Sequence, residues 1–83
     1  MIYITIINKT SSKLVSPTGR VIFPTCTLTL TDYNASTHYS LHCDTGSCVL
    51  SPKTSKKYKV INFGRIRAYN KEDSDNTVIV EEI

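Results

Sequence analysis

Five side chains in this sequence could ligate a soft metal or exchange a disulfide: Cys26, Cys43, Cys48, His38 and His42. Zinc takes about four ligands in a tetrahedron. Cys43 and Cys48 straddle Asp44-Thr45-Gly46-Ser47 in the manner of a loosened zinc knuckle, with Cys26 as a third sulfur. The two histidines follow an i, i+4 spacing, which on a helix would let them share an ion. On a strand the same spacing separates them by about 13 Å. The segment THYSLHC has strand residues, abuts a turn and lacks the glutamate of an HExxH motif. It is read as a strand, and no metal or cofactor is expected. A Cys43–Cys48 disulfide is geometrically feasible across a hairpin but needs an oxidising compartment. The favoured reading is three buried thiols, since each falls on the apolar side of its strand.

The element that positions these groups is Thr37 to Pro52, THYSLHCDTGSCVLSP, read as a β-hairpin. A four-residue loop, Asp44 to Ser47, sets Cys43 opposite Cys48, Leu41 opposite Leu50 and Tyr39 opposite Pro52. Tyr39, Leu41, Cys43, Cys48 and Leu50 then share an apolar face. His38, Ser40, His42, Val49 and Ser51 share the other.

The remainder of the chain fits an all-β reading. With 83 residues it is expected to form a single domain, 1–83, with a modest core. Hydrophobic content of 40% is enough for folding. Thr, Ile and Val are abundant, whereas there are two alanines, five leucines, one methionine and no glutamine. That balance favours strands over helices. Ile2 to Ile7 reads as a first strand with Ile2, Ile4 and Ile6 on one side, and Asn8 to Ser12 as a polar turn. Lys13 to Ser16 and Arg20 to Phe23 read as a hairpin around Pro17-Thr18-Gly19. Thr25 to Thr31 alternates, with Cys26, Leu28 and Leu30 apolar. Asp32 to Ser36 and Pro52 to Lys56 read as loops, and KEDSDN, Lys71 to Asn76, as an acidic turn. Thr77 to Ile83 is a final strand. About eight short strands at this spacing predict a small antiparallel barrel or sandwich. No stretch approaches the ~18 apolar residues of a membrane span, and MIYITII does not read as a secretory leader. The expected location is intracellular.

Charge is unevenly placed. Residues 1–71 hold ten Lys and Arg against Asp32 and Asp44, a balance of +8; residues 72–83 hold five acids and no base, a balance of −5. Lys57 to Tyr69 reads as one bent strand or as two strands meeting at Gly64. Without a turn, Lys57, Lys59, Ile61, Phe63, Arg65, Arg67 and Tyr69 share one side. Cations interleaved with rings suit an acidic protein or a nucleic acid. A turn at Gly64 would reset that parity, and Glu81 and Glu82 could pair with the basic strand across the sheet.

No catalytic motif is present. Asp32, His38, His42 and Asp44 could form an acid–base pair, but a small β-domain offers little concave, water-excluding space, and no enzyme is expected. The expected function is a non-enzymatic binding protein. Its site would be Lys57, Lys59, Phe63, Arg65, Arg67 and Tyr69, engaging an acidic protein or nucleoprotein complex and no membrane. In composition the chain resembles the accessory proteins that viruses and phages encode to modulate host machinery; the resemblance covers no motif. The alternatives are a nucleic-acid-binding barrel of oligonucleotide-binding or SH3-like type, and a homo-oligomer subunit pairing through an edge at Met1 to Ile7.

Overall fold

A computed structural model describes residues 4–30, 38–51, 58–72 and 76–83. Within them lie nine strands: β1 (Ile4–Lys9), β2 (Leu14–Val15), β3 (Val21–Ile22), β4 (Thr27–Leu30), β5 (Tyr39–Cys43), β6 (Gly46–Leu50), β7 (Val60–Gly64), β8 (Ile66–Asn70) and β9 (Thr77–Glu82). They form two sheets, a four-stranded one ordered β4-β1-β9-β8 and a five-stranded one ordered β3-β2-β5-β6-β7. The all-β sandwich or barrel expected from composition is therefore what the chain forms. Neighbouring strands run antiparallel except β1 and β9, which are parallel. Those two strands lie far apart in the chain, so no short hairpin dictates their direction.

Period-two alternation builds the core. Ile4, Ile6, Leu30, Ile66, Ala68, Val78 and Val80 come from the four-stranded sheet. Leu14, Ile22, Tyr39, Leu41, Cys48 and Leu50 come from the five-stranded sheet, and all belong to one buried cluster. The sheets thus share their inner faces, and their outer faces look in opposite directions. The strand order also closes at both seams, because β3 leads into β4 and β7 into β8. At the first seam Thr25 takes φ 65°, unusual for a β-branched residue, and donates its N–H to the Asn8 carbonyl at 2.8 Å. At the second, side-chain amides replace a backbone ladder. The Ala68 N–H donates to Asn62 Oδ1 at 3.0 Å, and Asn70 Nδ2 donates to the Tyr58 carbonyl at 2.6 Å.

Several expectations are corrected. Asn8 is not a turn residue: it is the fully buried next-to-last residue of β1. Its Nδ2 donates to the carbonyls of Ser12 and Ile22, both at 2.8 Å. Its Oδ1 accepts from the Thr10 N–H at 2.9 Å and the Thr10 hydroxyl at 2.7 Å. β1 is also not an edge, since β4 and β9 flank it, so a second chain cannot add there; Met1 to Tyr3 lie outside the described residues.

The central hairpin is slipped by two residues from the expected register. Tyr39 faces Leu50, Leu41 faces Cys48 and Cys43 faces Gly46, leaving Asp44-Thr45 as the loop. A two-residue slip preserves parity, so the expected partition of faces survives. Pro52 lies outside the described residues. Gly46 joins the ladder because of what it lacks. A Cβ there would lie 2.3 Å from the Phe63 carbonyl oxygen, and one at its partner Gly64 (φ +78) 2.7 Å from the Thr45 oxygen. Gly64 and Arg65 turn the chain from one sheet to the other, so the described part of the run expected over Lys57 to Tyr69 forms two strands, β7 and β8. The Arg65 N–H donates to the Thr45 carbonyl and its own carbonyl accepts from the Ile83 N–H, both at 2.9 Å.

Two outcomes follow. Asn8→Ala would take their side-chain partner from the buried Ile22 carbonyl and the buried Thr10 N–H, while the Ser12 carbonyl keeps the Thr10 hydroxyl, with an expected loss of about 2–4 kcal/mol in urea unfolding; a loss under ~1 kcal/mol would show that the network is dispensable. Gly46→Ala and Gly64→Ala are each expected to lose about 2–3 kcal/mol, because backbone rather than a flexible side chain blocks the methyl. Wild-type thermal midpoints for both variants would contradict the close approach.

Candidate functional site

The thiols do not assemble a chemical centre. Cys48 is buried, Cys43 is half-buried and Cys26 is exposed, and all three are free. The expectation of three buried thiols thus holds for Cys48 alone. Cys26 escapes because β4 begins only at Thr27. The slipped register sets Cys43 and Cys48 diagonally rather than face to face, a poor geometry for a disulfide. Burial, reinforced by Cys43 nearby, pushes the Cys48 thiol up to about 12, so it stays protonated and unreactive. Among the described residues no group of three or more His, Cys, Asp and Glu is placed to hold a metal ion. His38 and His42 are exposed on the outer face of the five-stranded sheet, and Asp44 lies in the turn. Asp32 is outside the described residues.

The turn at Gly64 divides the expected basic face. β7 is an edge of the five-stranded sheet and β8 an edge of the four-stranded one. Lys59 and Phe63 are exposed on the outer side of the β7 segment, and Arg65 is exposed at the corner. Arg67 and Tyr69 belong to β8 and face the opposite way. Lys57 lies outside the described residues.

Arg67 is also already engaged. It pairs with Glu81 directly across the sheet through both guanidinium contacts, Nε at 3.1 Å and a closer Nη2. Its guanidinium carbon sits 5.3 Å from the Tyr69 ring centre, and the Tyr69 hydroxyl reaches Glu81 at 3.4 Å. The hydrogen bond from Arg67, helped by its charge, holds the Glu81 carboxyl below the ordinary carboxylate range. Glu82 is lowered by the Ser11 hydroxyl and N–H, which ties the end of β9 to the loop after β1.

The ladder registers show what accompanies Phe63. Reading across the five-stranded sheet, Val21 pairs with Val15, Val15 with His42, His42 with Ser47 and Ser47 with Phe63. The next row runs Ser40, Val49, Ile61. Phe63 is 53% exposed, Ile61 40%, Val21 39% and Phe23 61%. These four are all but one of the exposed large hydrophobics among the described residues, the other being Ile83. All four lie on this one face, at its two edges. Lys13 and Lys59 share this face by strand parity, exposed Arg20 lies in the β2–β3 loop and exposed Arg65 at the corner beside Glu82, with Asp44 at the turn end of β5. The acids Glu72, Glu81 and Glu82 belong to the other sheet and its loop. The sequence reading found the β7 half and missed Val21, Phe23 and Lys13. Their signal was the i, i+2 parity of the β2–β3 hairpin, which places an exposed ring just before Pro24.

No family model, curated protein or solved structure matches this chain.

The Arg67–Glu81 pair makes a pH prediction. Glu81 has a depressed folded pKa, so its contribution to stability is complete above the ordinary carboxylate value. It is lost as pH falls through the depressed one. Stability curves for the wild type and Glu81→Gln should separate slightly at neutral pH and merge in acid; parallel curves throughout would contradict the pairing. The gap should be modest and shrink with salt, because water reaches the pair.

Proposed function

We propose that this chain is a non-enzymatic binding protein that engages an acidic protein surface through the outer face of its five-stranded sheet. The observation that supports this reading is the placement of Phe63, Ile61, Phe23 and Val21 on one outer face, at its two edges, with the cations Lys13 and Lys59 beside them. Apolar anchors inside a charged rim are the anatomy of a protein interface. The cations steer an acidic partner and the rings supply the desolvated contact. The composition-based resemblance to viral and phage accessory proteins fits such a role, with a host protein or nucleoprotein complex as the target. Arg67 and Tyr69 drop out of the working site, because Glu81 occupies the one and both face the other way.

The test is an affinity capture from host-cell lysate, with nuclease treatment, comparing the wild type with Phe63→Ala/Arg65→Glu and with Arg67→Ala. A protein captured at near-equal stoichiometry by the wild type and Arg67→Ala, and lost from the double variant, is the expected result. Identical capture by all three would sink the reading. Loss of every partner on nuclease treatment would replace it with a nucleic-acid role.

A further inference from the structure

The anchors on this face form two separate sites rather than one patch. Val21 and Phe23 belong to β3 and the residue after it, with Lys13 opposite Phe23 by continuation of the Leu14–Ile22 register. Ile61 and Phe63 lie on β7, with Lys59 and Arg65 two positions to either side. Between them, in the row that joins Val21 to Phe63, stand half-buried Val15, exposed His42 and half-buried Ser47. Four inter-strand spacings of about 4.8 Å set the two sites about 19 Å apart.

This geometry constrains the occupant. The panel between the anchors covers about 19 Å by about 14 Å, roughly 270 Å², against ~800 Å² per partner in a stable interface between folded proteins. Face-to-face pairing with a second copy would also oppose Lys59 and Arg65 to cations of their own kind. An extended chain advances about 3.3 Å per residue, so two of its side chains about six residues apart span the distance. The polar middle row offers the His42 imidazole and the Ser47 hydroxyl to the backbone groups of such a chain.

Resting on the binding role proposed above, we infer that the partner presents an extended acidic segment. That segment lies across the strands and places two aromatic or aliphatic anchors, about six residues apart, in the Phe23 and Phe63 sites. Linking two weak contacts in one chain raises affinity through effective concentration.

The experiment uses fluorescein-labelled synthetic peptides in a Ser/Thr background with Glu at both ends, titrated by fluorescence anisotropy. One carries two Phe six residues apart, one two Phe two residues apart, and one a single Phe. The expected result is at least ~10-fold tighter binding of the widely spaced peptide. Phe23→Ala and Phe63→Ala should each abolish that advantage, and exchanging the terminal Glu for Lys should weaken binding. Both variants are at exposed positions, and circular dichroism spectra matching the wild type are required of each before titration. Equal binding of the three peptides would overturn the two-site inference, even if Phe63→Ala/Arg65→Glu still loses its lysate partner. A labelled oligothymidylate that binds more tightly than any of the peptides would also overturn it. If the lysate experiment fails as well, the binding role itself falls with it.

Discussion

The side chain of Asn8 is the contact on which the two sheets depend. It sits at the end of β1, in the centre of the four-stranded sheet, and reaches the carbonyl of Ile22 in the five-stranded sheet. It also closes the loop that carries the chain from one sheet to the other, through Thr10 and Ser12. A carboxamide has two donors and an acceptor with two lone pairs, and here each donor and both lone pairs are used. A buried polar group that is fully satisfied specifies one arrangement, because any slip of β1 would strand it without partners. The Asn8 backbone adds to this by pairing with Thr25 and Cys26, which holds the strained corner between β3 and β4.

The second seam is closed by different means. Gly46 and Gly64 bring two backbones together more closely than side chains allow, and Asn62 and Asn70 stitch β7 to β8 where no regular ladder runs. This corner sets the functional geometry. It sends β7 into one sheet and β8 into the other, so residues two apart in the chain end on opposite surfaces. Arg67 then finds Glu81, while Arg65 stays exposed at the corner, beside Glu82 and Ile83. Among the described residues, the acids Glu72, Glu81 and Glu82 belong to the four-stranded sheet and its loop, and Lys13 and Lys59 lie on the other side of the fold. Four of the five exposed large hydrophobics among the described residues and the cations Lys13 and Lys59 therefore coincide on one side.

Much of this was legible in the residues. Alternation of apolar and polar positions gave the strands and their faces. That partition outlasted the slip in the central hairpin because a shift of two positions keeps every side chain on its side. His38, Ser40, His42, Val49 and Ser51 were correctly grouped on a single face for the same reason. Half of the candidate site, Lys59, Phe63 and Arg65, could be read from the interleaving of cations and rings.

What the sequence by itself determined is local: strand content, the inward and outward sides of each strand, and the surplus of acids after residue 71. Those properties follow from period-two geometry and from charge counting, which need no knowledge of neighbours. Which strands are neighbours was decided only in three dimensions. The buried role of Asn8, the flanked position of β1, the parallel pairing of β1 with β9 and the placement of Phe23 and Phe63 at opposite edges of one face all depend on contacts between distant segments. A polar residue after an apolar run reads as a turn until the partners that satisfy it are in place. A glycine between two strand-like runs reads equally as a bulge or a corner until the opposing backbone shows why no side chain fits.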